Sequence, residues 1–230
     1  MDYNFIDGEV LLLNKPYDWT STDLVRKVKF IIQNNLRIRK LKVGHAGTLD
    51  PLASGLMIIC TGKFTKKIES FQGLEKEYIA SIKLGETTPS FDLETDVDNT
   101  YEYSHITEEQ IKDVLNKFQG EIEQMPPVFS AKRVNGKRAY DFARKGEEIE
   151  LKTSKIKIHA IEILSYLAPV LKIRVSCSKG TYIRSLARDI GVELNNGGHL
   201  IGLERTKIGD FNVENADKIE DFEKKIKLCN

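Results

Sequence analysis

Gly44-His45-Ala46-Gly47-Thr48-Leu49-Asp50-Pro51-Leu52-Ala53-Ser54-Gly55 places one carboxylate, Asp50, and one imidazole, His45, among glycines and other small residues. Pro51 fixes its own φ and pushes the preceding Asp50 out of the helical region. The carboxylate is therefore expected at a loop edge, in an extended or turn conformation. Glycines in the stretch let the backbone bend sharply or approach a ligand closely. Leu56-Met57-Ile58-Ile59-Cys60 follows as an apolar run that reads as a buried strand or a helix start. A stiffened loop backed by a buried element is one way to fix a reactive group. The competing reading is a plain turn, because Asp-Pro pairs and glycine-rich loops commonly form turns.

Before the loop, Glu9 to Pro16 reads as a buried strand stopped by proline. Thr20 to Asp23 offers capping residues for a helix over about Asp23 to Gln33, with Val25, Val28, Ile31 and Ile32 on one face. Arg26, Lys27, Lys29, Arg37, Arg39, Lys40 and Lys42 follow one another with no acid among them. That run is either a solvated helix face or a phosphate-contacting patch leading into the Asp50 loop. After the loop, Glu77 to Gly85 alternates as a strand, and Asp92 to Asn99 reads as an acidic surface loop. Thr107 to Gln110 starts a helix carrying Ile111, Val114, Leu115 and Phe118, which ends at Gly120.

A second basic stretch, Ser130 to Tyr140, contains the hairpin pair Asn135-Gly136, with a short helix expected from about Arg138 to Arg144. Ile149 to Leu151, Ser154 to Leu164 and Leu171 to Cys177 read as strands. The third basic block is Ser178-Lys179-Gly180-Thr181-Tyr182-Ile183-Arg184, continuing to Gly191. Thr181 is the expected cap of a helix with Arg184 in its first turn and Ile183, Leu186, Ala187 and Ile190 facing the core.

The 230 residues are 40% hydrophobic and 30% charged, with Lys+Arg 35 against Asp+Glu 34, so binding to RNA would have to use local patches. Cys60, Cys177 and Cys229 stand far apart with no C-x-x-C pair, which argues against a zinc ribbon or a disulfide framework and fits a reducing cytoplasm. No 18-residue apolar run and no signal-peptide pattern occur, so no membrane partner is expected. There is no P-loop, dinucleotide fingerprint or zinc spacing.

The Gly44–Gly55 loop with Thr61-Gly62, the Lys179–Arg184 block and the closing Gly197-Gly198-His199 to Thr206 run resemble the TruB family, the tRNA pseudouridine-55 synthases. The resemblance extends in family order from about Gly8 to Val213. It implies the pseudouridine synthase fold: α+β, a central mixed β-sheet flanked by helices, with the Asp50 loop in a basic cleft. It also implies a catalytic domain over 1–213 and a helical tail over 214–230, with no room for the C-terminal PUA domain that many members carry.

The implied reaction isomerises one uridine, position 55 in the T loop of tRNA, after the nucleotide is flipped out of its stack. The C–N glycosidic bond is exchanged for a C–C bond, so no cofactor or metal is required. By the same resemblance Asp50 is catalytic, and Tyr78 packs on the target base and assists proton removal. Arg184 pairs with the catalytic carboxylate, which would orient it and keep it ionised. His45 fills the vacated space, Tyr182 and Leu203 wall the pocket, and Lys15, Lys132 and Lys179 contact phosphates or support the pocket. On residue type alone, His45 is equally a loop histidine bonded to backbone, Tyr78 an ordinary core tyrosine and the lysines plain surface charge.

Asp50 could attack C1′ as a nucleophile or act as a base at C2′. The expected partner is tRNA through its T arm, bound by a monomer without guide RNA. Two other readings remain: a non-catalytic RNA-binding or tRNA-folding module, and a guide-RNA-dependent relative. A protein gripping the T arm alone is expected to modify an isolated T-arm stem-loop nearly as well as whole tRNA.

Overall fold

Strand β1 (Val10–Lys15) lies antiparallel to the strand that follows the Asp50 loop, with Val10 opposite Cys60 and Lys15 opposite Gly55. The computed structural model describes residues 3–37, 39–129, 133–134, 137–138, 142, 147 and 151–228. Two compact units emerge: Met1–Tyr78 with Leu203–Asn230, and Ile79–Gly202.

In the first unit, helix α1 (Ser21–Leu36) is closed by a reciprocal capping box between Thr20 and Asp23. It starts earlier and ends later than the hydrophobic pattern indicated, and it is Leu24, not Val25, that joins Val28, Ile31 and Ile32 in the core. The stripe is thus shifted by one residue, as the i, i+4, i+7, i+8 spacing from Leu24 requires. Strand β2 (Val43–His45) pairs antiparallel with β3 (Ala53–Thr61), setting His45 opposite Ile59. Leu56 to Cys60 is fully buried at every position, which explains an apolar run without alternation. Helix α2 (Ile68–Gly73) follows a 3-10 turn over Gly62–Lys67.

The second unit takes strand β4 (Lys76–Leu84) from Ile79 onward, and its strand order is β4, then β11 (Val170–Cys177), β10 (Ser154–Leu167) and β7 (Gly120–Gln124). Strand β10 is antiparallel to both of its neighbours. Short strands β5 (Glu86–Thr87) and β6 (Asn99–Thr100) pair, as do β8 (Arg133–Val134) and β9 (Lys137–Arg138). The β8–β9 register fits the expected hairpin, although Asn135 and Gly136 themselves lie outside the described residues; Arg138, the expected start of a helix, closes β9, and of the rest of that helix only Phe142 is described.

Helix α3 (Glu108–Phe118) carries the Thr107–Gln110 capping box and buries Ile111, Val114, Leu115 and Phe118. Helix α4 (Ile183–Glu193) follows β11. Its cap position is Tyr182, not Thr181, whose hydroxyl instead donates to the Ser178 carbonyl.

Strand β12 (Gly198–Ile208) returns to the first unit and runs parallel to β3, Leu203 opposite Ala53 and Arg205 opposite Gly55. With β1 antiparallel on β3, the sheet is mixed. Strand β13 (Phe211–Asn212) folds back on β12, and helix α5 (Ile219–Lys227) packs on α1 through Phe222 and Ile226. The expected C-terminal tail is therefore part of the first unit. Asp217 is bonded through its backbone to both Leu12 and Asn14 of β1.

Candidate active site

From Gly47 to Pro51, each backbone carbonyl of the loop accepts a hydrogen bond. Arg205 donates to Gly47 at 3.2 Å and Thr48 at 3.4 Å. The Ser21 hydroxyl donates to the Leu49 carbonyl at 2.9 Å and accepts from the Leu49 N–H at 2.8 Å. Ala53 N–H closes a turn on the Asp50 carbonyl at 3.1 Å, and Pro51 accepts from Asp18 N–H at 2.9 Å and Lys15 Nζ at 3.3 Å. A buried carbonyl left without a donor costs about 1–3 kcal/mol, so this series strongly favours one loop geometry. Asp50 sits half-buried within it.

Two charged side chains serve the loop from inside the core. Arg205 is 1% exposed, and its Nε donates to the Leu56 carbonyl at 2.8 Å besides holding Gly47 and Thr48. The backbone of Arg205 passes so close to Gly55, itself at φ +111°, that a Cβ there would lie 2.4 Å from the Arg205 carbonyl oxygen. Only glycine admits this approach.

Lys15 is fully buried, and its ammonium also donates to Pro16 and Trp19 carbonyls at 2.9 and 2.6 Å. Burial pulls its pKa down to about 8, with Asp50 pulling it up and Arg205 reinforcing the fall. Of the two roles expected for Lys15, its geometry is that of loop support.

The same unit holds His45, Tyr78 and Leu203. Burial lowers the His45 pKa, with the Gly47 backbone opposing and Arg205 reinforcing. Leu203 is fixed by its register against Ala53, three residues after Asp50. Tyr78 is a buried residue of β4.

In the second unit, Tyr182 is clamped through its backbone by the Gln124 amide, which accepts from the Tyr182 N–H at 2.8 Å and donates to its carbonyl at 3.1 Å. Arg184 is 5% exposed, with Nε 3.6 Å from the Asp92 carboxylate. Its guanidinium also donates to the Ser90 carbonyl at 3.3 Å and the Phe129 carbonyl at 2.8 Å. Asp92 is 6% exposed, which corrects its assignment to an acidic surface loop; a carboxylate is buried here because a guanidinium meets it. Lys179 is exposed, and Lys132 lies outside the described residues.

Sequence reasoning missed Arg205, Ser21 and Asp92. Arg205 and Ser21 left no local signal, since each acts on residues far away in the chain. Asp92 stands two residues after Ser90 in an acidic, irregular run, so its difference from Glu94, Asp96 and Asp98 became visible only through burial. Among the described residues, no three His, Cys, Asp or Glu side chains gather as metal ligands, and no helix is long and apolar enough to cross a membrane.

The arrangement offers one carboxylate on a fixed loop, with a part-buried histidine, a buried tyrosine and an apolar strand residue in the same unit. The profile of the TruB family pseudouridylate synthase (N terminal domain) matches residues 33–183. The tRNA pseudouridine synthase B of Parabacteroides distasonis is 58% identical over 222 residues, covering 95% of this chain and 94% of that protein. That of Flavobacterium johnsoniae is 51% identical over 223 residues, covering 96% and 97%. Among solved structures, a chain of a Cbf5-Nop10-Gar1 complex superposes with a TM-score of 0.73 at 29% identity. The match covers 96% of this chain and 54% of that one, so this chain spans about half its length. With the expected mixed-sheet α+β fold observed, the chain belongs to the TruB family of pseudouridylate synthases.

Proposed function

We propose that the protein isomerises a uridine of tRNA to pseudouridine, at position 55 in the T loop, with Asp50 as the reacting carboxylate. The observation that carries this reading is the unbroken series of satisfied carbonyls from Gly47 to Pro51, which fixes a single carboxylate in place. Preorganisation of this kind converts binding into rate, because the reacting atom is already where the transition state needs it. The naming of the close relatives as tRNA pseudouridine synthases supports tRNA as the substrate.

The target base leaves its stack and enters beside Asp50. In one route an Asp50 oxygen attacks C1′ while the N1–C1′ bond breaks and uracil leaves as an anion. The base turns, C5 attacks C1′ and displaces the carboxylate, and the C5 proton is then removed while N1 takes one up. In the other route Asp50 takes the C2′ proton as uracil leaves, giving a C1′=C2′ glycal, and C5 adds to C1′ as the proton returns to C2′. Tyr78 assists loss of the C5 proton. Arg184, held against Asp92, supplies the guanidinium for the Asp50 carboxylate, and Tyr182 and Leu203 wall the pocket. His45 takes the space the base vacates, and Lys132 and Lys179 contact phosphates.

The test is a map of pseudouridine in unmodified tRNA incubated with the purified protein and with Asp50→Asn. Pseudouridine at position 55 only with the unaltered protein is the expected result. Modification by the variant at near-normal rate, or none by either protein, would overturn the reading. The tRNA-folding reading is separated from it by measuring tRNA binding and refolding with Asp50→Asn.

A further inference from the structure

On the exposed side of α1, away from Leu24, Val28, Ile31 and Ile32, Phe30 is 59% exposed. Its ring borders a cavity of about 480 Å³ whose other walls are Gln33, Asn34, Arg37 and Arg39. The Lys27 ammonium stands 5.8 Å from the ring centroid. Gln33 Nε2 donates to the Arg39 carbonyl at 2.9 Å, which fastens the segment after the helix back against it. Arg39 also borders a neighbouring depression of about 710 Å³, where it is joined by Lys29, Lys40, Lys42, Lys63 and Lys66. Lys63 is paired with Asp7 at 2.6 Å. Among the described residues, the other cations of the two hollows face no carboxylate within ion-pair distance.

An open aromatic face beside a track of unpaired cations is the pairing that holds single-stranded nucleic acid: the ring stacks a base and the cations take the flanking phosphates. A duplex would use the cations and leave the ring idle. The location excludes the target nucleotide as the occupant: Phe30 stands nine helical rises, about 14 Å, along α1 from Ser21, which holds Leu49 of the Asp50 loop. The larger hollow is bordered by Gly62 and Lys63, just past the Thr61 end of β3, whereas Asp50 precedes the Ala53 end. Eight rises along a strand separate those ends by about 26 Å.

Resting on the tRNA reading above, we propose that Phe30 is a stacking platform for an unpaired nucleotide of the tRNA outside the T arm. Arg37, Arg39 and the adjoining lysines hold the phosphates on either side of it. The excess of cations without carboxylate partners selects a polyanion as the occupant. The expectation of equal turnover on a T-arm stem-loop and on whole tRNA then gives way to a preference for whole tRNA.

The experiment measures kcat/KM and Kd for the full chain on a whole tRNA transcript and on an isolated T-arm stem-loop. Phe30→Ala is expected to weaken whole-tRNA binding and kcat/KM about tenfold, the effect of losing one base stack. The stem-loop should stay within about twofold, and Phe30→Trp should restore the loss. Reversing both Arg37 and Arg39 to Glu should reduce the slope of log K against log salt for whole tRNA by about 2.

Equal losses on both substrates would place the T arm itself on Phe30 and overturn the proposal. Unchanged values on both would also overturn it, and would point instead to an acidic protein partner. Binding is read without turnover, so a Phe30-dependent Kd for tRNA in a protein that makes no pseudouridine would defeat the functional reading and leave this one standing. The ring is exposed, so an unchanged Tm checks that Phe30→Ala is folded.

Discussion

Among the described residues each unit buries one arginine, and the two differ in what they meet. Arg205 of the first unit gives its guanidinium to the carbonyls of Gly47, Thr48 and Leu56. Arg184 of the second meets carbonyls too, those of Ser90 and Phe129, but adds the carboxylate of Asp92. Carbonyl partners fix a backbone without cancelling the charge. A carboxylate partner shares the charge, and that sharing shifts when another anion arrives. The first arrangement builds a loop; the second leaves a guanidinium whose anionic partner can change, as the role proposed for Arg184 requires. One residue type thus carries two roles, set by neighbours distant in sequence.

The largest test of this contrast falls on the carboxylate the loop presents. Asp50→Asn retains size and loop bonding but removes the anion, so turnover should vanish while tRNA affinity stays within a few fold and Tm is unchanged. Next, Arg184→Lys preserves charge and loses the planar fork that can meet two acceptors at once. Its kcat should fall about a hundredfold with little change in Tm. A normally active Arg184→Lys would make that guanidinium a structural group like Arg205.

Arg205→Met should do the reverse. Three carbonyls lose their donors, and at about 1–3 kcal/mol for each group left unsatisfied, partly relieved by loop movement, stability should drop by about 2–4 kcal/mol. Turnover should fall about tenfold as a consequence. Denaturant unfolding beside single-turnover kinetics reads both. A loss of activity without loss of stability would erase the distinction between the two arginines.

The smallest effect concerns Lys15. In the folded chain its ammonium deprotonates at about 8, whereas an unfolded lysine holds its proton to about 10.5. Between those values the unfolded state binds more protons, so stability rises with pH across that window. Activity should move the other way. A neutral amine has two hydrogens for three carbonyls, and the cation that Asp50 favours is gone. We expect kcat/KM to decline severalfold above about pH 8. The alkaline limb should be absent from Lys15→Met; its persistence there would assign it to another group.

The Asp50 loop and the strand-to-helix turn were legible in the chain because their signals are local. Pro51 restrains Asp50, the glycines permit the loop, and the Lys179–Arg184 block announces a strand-to-helix turn by its own residue types. The secondary structure was legible for the same reason, since apolar spacing in α3 and alternation in β4 are properties of neighbours. The errors fell where burial decides. The shift of the α1 stripe from Val25 to Leu24 depended on which flank the fold buries.

By itself, the sequence determined the family, the mixed α+β fold and the placement of Asp50 at a loop edge. These follow from local backbone restraint and from motifs written in consecutive residues. Only the tertiary structure decided that Arg205 and Lys15 are loop supports buried in the core, and that Asp92 is an interior ion-pair partner unlike the acids after it. It also decided that Phe30 looks outward beside Arg37 and Arg39, which meet no carboxylate among the described residues. The physical reason is desolvation. The state and role of a charged or aromatic group depend on what surrounds it after folding, and those surroundings come from residues tens to hundreds of positions away.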